Sequence, residues 1–244
     1  MRLVINPFRG GEKLAENAPY PSTDAERVSS LLSKCPSFAE TSLADARELA
    51  PIAALWVKDE RTRMGLGSFK ALGAAYVIAR QAVDLNDQPG PDTLAGRTYV
   101  TASAGNHGMS VAAGAKVFGA KAVVYIAETV PESFADRLRD IGAEPVRAGS
   151  DYAASMDAAK QAAEDNGWIL LSDSSWDGYT ELPYILMEGY LQMVAEAVDQ
   201  CPSTPSHIFL QAGVGGLAGA VAAYARKAWG DGPKIIVVEP EAAP

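Results

Sequence analysis

From Leu55 onward, short β-branched runs alternate with longer stretches of small and apolar residues at helical spacing. LWVKDE reads as a short strand, GLGS as a glycine-rich loop, and SFKALGAAYVIARQAV as a helix of about four turns. NDQPGPD then breaks the chain with Pro and Gly. RTYVTAS is a strand, HGMSVAAGAKVFG a small-residue helix and AVVYIAE a β-branched strand. Pro131 opens the helix PESFADRLRDIG, where proline suits the first turn. EPVRAG is a short strand, and Asp151 caps the helix YAASMDAAKQAAEDNG. WILLSD is a strand and LPYILMEGYLQMVAEAV one long helix. HIFLQAG, LAGAVAAYARKAW and KIIVVEP form a last strand–helix–strand unit. This alternation predicts an α/β fold with parallel sheets covered by helices on both faces. Residues 1 to 40 read instead as an irregular arm with one short helix, AERVSSLL, begun by Thr23 or Asp24.

The 244 residues are 48% apolar, enough for a sizeable core, and 21% charged, as in an ordinary globular chain. Thirty acidic residues against 21 basic ones leave a net charge of −9. That excess disfavours nucleic acid and anionic membranes as partners, though it permits a local cationic pocket. Cys35 and Cys201 lie far apart without metal-ligand spacing, as expected of a reduced cytoplasmic protein with no metal site. The opening MRLVINPFRGGEK holds a three-residue apolar run, too short for a signal-peptide core. No apolar run approaches the roughly 20 residues needed to span a bilayer.

In parallel α/β folds, ligands gather where strands end and loops lead into helix N-termini. Three loops fit: GLGS before Phe69, SAGNHG after Val100 and AGVGG after Leu210. In AGVGG, Gly213, Gly215 and Gly216 would bring bare N–H groups to an anion at the positive end of a helix. The same residues, with Ala218, also satisfy G-x-G-x-x-G/A, and Glu239 stands where a ribose-binding acid would. A dinucleotide oxidoreductase is therefore one reading of this loop. Lys70 sits on the first turn of a helix among Phe69, Ala71 and Leu72. It is either a snorkelling surface lysine or a partly buried nucleophile for a carbonyl. SAGNHG offers a hydroxyl, an amide, an imidazole and free N–H groups. Ser103 and the N–H groups around Ala104 and Asn106 could hold a carboxylate, and the Asn106 amide could bond a phenolic oxygen. His107 alone reads as a hydrogen-bond donor at a helix start.

Taken in order, SFKALG, SAGNHG and GVGGLAG resemble the fold type II pyridoxal-phosphate enzymes, a family that includes serine and threonine dehydratases, serine racemase and tryptophan synthase β. Within it, VKDE–GLGSFK and SDSSWDGYTELPYILMEGY followed by HIFLQAGVGGLAGAV are most similar to the diaminopropionate ammonia-lyases, from about Thr41 to the last residue. The resemblance implies two three-layer α/β/α domains with parallel sheets. Residues 1–97 and 176–244 would form the large domain and 98–175 the small one, with the C-terminal part of the large domain missing. It implies pyridoxal 5'-phosphate as cofactor, held covalently by the catalytic Lys70, with Asn106 on the pyridoxal 3'-oxygen. Gly213, Val214, Gly215 and Gly216 would hold the phosphate. Ser103, Ala104 and His107 would line the substrate carboxylate site, and Asp173, in the D-x-x-W-[DE]-G-Y pattern with Trp176, would hold the substrate amine. Read from the residues alone, Asp173 serves equally as a helix cap after a strand.

The implied reaction is α,β-elimination from a small β-substituted amino acid, 2,3-diaminopropionate first, to pyruvate and ammonia. A serine/threonine dehydratase is the alternative lyase, and a catalytically silent fragment the alternative of another class. Diaminopropionate ammonia-lyases read D-G-N-H-G where this chain has Ala104-Gly-Asn-His-Gly. The family's remaining strands, with the Ser/Thr on the pyridine nitrogen, have no counterpart after VEPEAAP. A homodimer is the assembly the resemblance implies.

Overall fold

The computed structural model describes residues 3–7 and 19–240. Much of the expected N-terminal arm, residues 8–18, lies outside them, as do residues 1–2 and 241–244. Helix α1 (Ala25–Leu32) starts at Asp24, whose side chain accepts the Arg27 amide. β1 (Leu43–Asp45) and β2 (Trp56–Lys58) pair antiparallel, so the strand in LWVKDE belongs to a small ribbon and not to a parallel sheet. α2 (Lys70–Leu85) buries Leu72, Tyr76, Val77 and Ile78, which point in different directions around its axis, so its N-terminal half is enclosed by neighbours, chiefly α3 and α6.

Then follow β3 (Thr98–Ala102), α3 (Asn106–Val117), β4 (Lys121–Ile126), α4 (Glu132–Ile141), β5 (Glu144–Arg147), α5 (Tyr152–Asn166) and β6 (Ile169–Leu170). The four strands form one parallel sheet in the order β5-β4-β3-β6. Alternation sorts its two faces. Tyr99, Ala122, Val124 and Ile126 pack with α3 and α4, while Val100, Ala102 and Val123 pack with Met156, Ala159 and Ala163 of α5. Here the expected three layers are present. Pro131 precedes α4 and Asp151 caps α5 through the Ala154 amide, as the sequence predicts.

The expected long helix after residue 180 is two: α6 (Glu181–Gly189) and α7 (Leu191–Gln200), joined at Tyr190. A Cβ on Gly189 would lie 2.4 Å from the Leu72 carbonyl oxygen, so α6 presses its backbone onto α2 just before the interruption. β7 (His207–Gln211), α8 (Gly216–Trp229) and β8 (Lys234–Val238) complete the chain, with β7 and β8 parallel. Leu210 is buried toward α8, whereas Phe209 on the other face is 64% exposed. Helices on both faces therefore describe the four-stranded sheet but not this pair. Among the described residues no helix is long and apolar enough to cross a membrane.

Candidate active site

Lys70 is delivered by a sharply turned loop. Met64, Gly65 and Gly67 all have positive φ, at 49°, 71° and 78°. A residue with a side chain holds such a conformation only under constraint, and the constraint on Met64 is next to it. Arg63 is fully buried and bonds both oxygens of Glu60 at 2.8 Å, both oxygens of Glu196 at 2.9 and 2.7 Å, and the Ala39 carbonyl. Lys58 adds a bond to Glu196 at 2.7 Å. Burial alone would raise the Glu196 carboxyl, but hydrogen bonds from Arg63, Lys58 and Gln192 outweigh it and hold it at about 2. Two cations and two carboxylates thus tie α7 and β2 to the loop that opens α2. At its end the Ser68 hydroxyl accepts the Lys70 amide at 3.1 Å.

The Lys70 ammonium lies 5.5 Å from the Phe69 ring centroid, 6.0 Å from that of Tyr190, and donates to Oδ2 of Asp173 at 2.6 Å. Asp173 is no helix cap: it stands in the loop after β6, well before α6, whose N-cap is Thr180. Tyr179 fixes that loop. Its hydroxyl donates to the Leu170 carbonyl at 2.9 Å and accepts the Ser172 amide at 3.0 Å, and its ring stacks on Trp176 at 4.3 Å.

At the end of β3, the Ser103 hydroxyl accepts the amides of Gly105 at 3.2 Å and Gly108 at 3.0 Å, so it caps its own helix. Ala104 and Asn106 are exposed at the mouth of this turn. His107 is buried, and its Nε2 donates to the Leu171 carbonyl at 2.8 Å, binding α3 to the end of β6. Burial pushes its pKa down, so the imidazole is neutral at pH 7, and its buried Nδ1 has no partner among the described residues. A pocket of about 290 Å³ opens beside Ala104, lined also by Thr129, Ser150, Asp151, Tyr152 and Ser155. A larger cleft of about 620 Å³, between the end of α1 and the outer sides of α2 and α3, contains none of the catalytic or binding residues expected from the sequence.

The third loop, Gly213 to Gly216, leads into α8. Gly215 is its N-cap at φ 84°, a left-handed conformation that suits glycine. The amides of Gly213, Val214, Gly215 and Gly216 take no backbone partner among the described residues, and they stand at the positive end of the helix. A Cβ added to Gly213 or Gly215 would meet nothing within 4 Å, whereas one on Gly216 would lie 3.6 Å from Cε2 of Tyr190. Tyr190 therefore lies between the lysine and the glycine loop. It is 1% exposed, and its hydroxyl has no partner among the described residues. An amine and a set of open amides around one aromatic floor suit a ligand carrying both an aldehyde and a phosphate.

A family profile described as "Pyridoxal-phosphate dependent enzyme" matches residues 36–244. The chain belongs to the pyridoxal-phosphate-dependent enzymes. The diaminopropionate ammonia-lyase of Salmonella typhimurium is 36% identical over 231 residues, covering 86% of this chain and 57% of that protein. Its Escherichia coli counterpart is 34% identical over 214 residues, covering 82% and 54%. A crystal structure of the Escherichia coli diaminopropionate ammonia-lyase in complex with D-serine superposes with a TM-score of 0.84 at 31% identity, over 93% of this chain and 62% of that one. This pyridoxal-phosphate-dependent enzyme thus spans less than two thirds of the length of these relatives. Its parallel α/β architecture is that of the fold type II members. The family profile runs through Gly213 to Ala218, so the dinucleotide reading of that loop loses its footing.

Of the sequence-predicted site residues, the structure brings Lys70 and Asp173 into contact and sets His107 within electrostatic reach of both. Ser103 spends its hydroxyl on the turn itself and His107 its Nε2 on the Leu171 carbonyl, while Ala104, Asn106, Gly213, Val214 and Gly215 face outward. Sequence reasoning missed Tyr179, Tyr190 and the Arg63–Glu196 cluster. Glu196 did leave a signal: a carboxylate on the buried stripe of LQMVAEAV must find a cation.

Proposed function

We propose that this chain is a pyridoxal-phosphate-dependent ammonia-lyase that converts 2,3-diaminopropionate and water to pyruvate and ammonia. The observation that carries the reading is the contact between Lys70 and Asp173 at 2.6 Å beside open N–H groups on two helix-opening loops. Pyridoxal phosphate, when bound, supplies a conjugated ring that accepts the electron pair left on Cα. Everything else falls to side chains and amides of this chain. The amides of Gly213 to Gly216 hold the phosphate, and Asn106 faces the ring oxygen. Lys70 would hold the cofactor through its aldehyde carbon, and its free amine would take the Cα proton. The N–H groups of Ala104 and Asn106 would receive the substrate carboxylate, with Ser103 keeping their turn in shape through the Gly105 amide. Asp173 holds the second ammonium of the substrate, the group that leaves. His107 orients the loop and stays neutral.

The division into a large domain of residues 1–97 and 176–244 and a small one of 98–175 belongs to the same reading. The four-stranded sheet, built wholly from residues 98–170, supports it. A cytoplasmic homodimer acting on a small amino acid completes the proposal, the net charge of −9 weighing against polyanionic partners. The test is reconstitution with pyridoxal 5'-phosphate. Visible absorbance should appear, disappear in Lys70→Ala, and accompany pyruvate release from diaminopropionate. Pyruvate from serine but not from diaminopropionate would assign the chain to the dehydratases instead, and absorbance that persists in Lys70→Ala would refute the role of Lys70.

A further inference from the structure

Both duties assigned to Lys70 need the lone pair of its nitrogen, and in the structure that nitrogen is engaged. Nζ donates to Oδ2 of Asp173 at 2.6 Å, with the two side chains 21% and 15% exposed. Groups facing the pair from neighbouring elements are His107 of α3, Tyr152 of α5, Tyr179 of the loop after β6, and Tyr190 between α6 and α7. Burial holds all four in their neutral forms at pH 7: it pushes the His107 imidazole down and the three phenols up. Burial works to raise the Asp173 carboxyl, which is nonetheless held below its ordinary value. The cation that touches it is the Lys70 ammonium, at 2.6 Å.

We propose that Asp173 is a latch on Lys70: its carboxylate retains the nitrogen as ammonium until an aldehyde claims it, and is then released for the second ammonium of the substrate. The first half rests on the ion pair alone. The second half rests on the function proposed above. The chemistry sets what the latch resists. For Nζ to bond an aldehyde carbon, one proton must first leave the ammonium for solvent. The carbon–nitrogen double bond then forms, and the aldehyde oxygen departs as water with the two hydrogens remaining on nitrogen. Loss of the first proton strands a largely buried carboxylate without its counter-charge, so the carboxylate opposes it. One anion thereby meets two cations in succession, and the site becomes receptive to a diamine only after Lys70 has let go.

The experiment compares wild type with Asp173→Asn, which keeps shape and hydrogen-bonding capacity while removing the charge, and with Asp177→Asn. Asp177 is an exposed carboxylate on the same loop and controls for the general loss of negative charge. Two rates are read: growth of visible absorbance on mixing with pyridoxal 5'-phosphate, and acetylation of Lys70 in the protein alone by trace acetic anhydride, measured by peptide mass spectrometry against exposed Lys34. The anhydride is uncharged, so its rate is free of the attraction that an anionic cofactor would gain. Asp173→Asn should raise both rates about tenfold, the difference between a charge-assisted and a neutral hydrogen bond. Asp177→Asn should raise neither.

Acetylation unchanged or slowed in Asp173→Asn, with the fold verified by circular dichroism, overturns the latch, as does an equal rise in both variants. Should Asp173→Asn prove unfolded, Asp173→Ser carries the same comparison. Faster acetylation with no absorbance in any variant would leave the latch standing and remove the cofactor reading. Absorbance growing at equal rates in every variant, with acetylation unchanged, would do the reverse.

Discussion

Replacing Glu196 with glutamine puts a number on the cluster that shapes the Lys70 loop. Glu196 is 3% exposed and bonds Arg63 twice and Lys58 once, and Arg63 has no exposed surface at all. Its carboxyl lies at about 2 in the folded protein against an ordinary 4.5. That difference corresponds to roughly 3 kcal/mol in favour of the folded, ionised form. An amide cannot balance two buried cations, so Glu196→Gln should lose about that much at pH 7, within the range seen when one partner of a buried pair is removed. The pH dependence follows from the depressed folded value. Wild-type stabilisation is complete above about 4.5 and is lost as pH falls from there to about 2, the interval in which the unfolded chain binds the proton and the folded protein does not. The gap between wild type and variant should therefore shrink by roughly 1.5 kcal/mol between pH 7 and pH 3.5. Urea unfolding followed by tryptophan fluorescence at several pH values reads it directly. A loss below about 1 kcal/mol at pH 7, or a gap that stays constant with pH, would show that the carboxylate does not hold the cations as described.

Three further outcomes test the site and its support. Gly215→Asp adds a carboxylate and a Cβ at a left-handed N-cap facing open space, so affinity for pyridoxal 5'-phosphate, read by absorbance titration, should fall at least tenfold; unchanged affinity would move the phosphate elsewhere. Gly189→Ala would set a Cβ 2.4 Å from the Leu72 carbonyl oxygen and 3.0 Å from the Tyr76 Cβ, costing about 2 kcal/mol in denaturant unfolding; a neutral result would mean that α2 and α6 do not meet as closely as this. Under the proposed function Lys70 serves one face of the substrate, and Ala104 puts a methyl group where a carboxylate could serve the other. L-diaminopropionate should therefore turn over faster than the D isomer, and Ala104→Asp should raise D-isomer turnover more than L in a coupled pyruvate assay. Equal rates with Ala104 in place would point to another base.

What the sequence disclosed, and what it hid, divide along the range of the forces involved. The strand TYVTA, the helix capped by Asp151 and the helix entered after Pro131 are fixed by alternation and by contacts a few residues apart, and all three stand where the pattern put them. The break at Tyr190 is different. Nothing in LMEGYLQM forbids a continuous helix, yet the helix is interrupted at Tyr190, next to Gly189, which packs against the Leu72 carbonyl 117 residues earlier.

The site shows the same division. The three loops were legible because glycine at a strand end has few other uses. Whether Lys70 snorkels, or whether Asp173 caps a helix, could not be decided from either residue alone, because each is explained by the other across 103 positions. Tyr190 is the clearest case. In sequence it is an aromatic in an apolar stripe, indistinguishable from core; in the fold its ring touches the elements that carry Lys70 and Gly216, and its hydroxyl has no partner among the described residues. A buried phenol that bonds nothing costs stability that a phenylalanine would not. Its place between the lysine and the glycine loop sets the residue that separates α6 from α7 at the site itself. Sequence motifs therefore marked where the chemistry sits, and the long-range contacts decide what each motif residue is free to do.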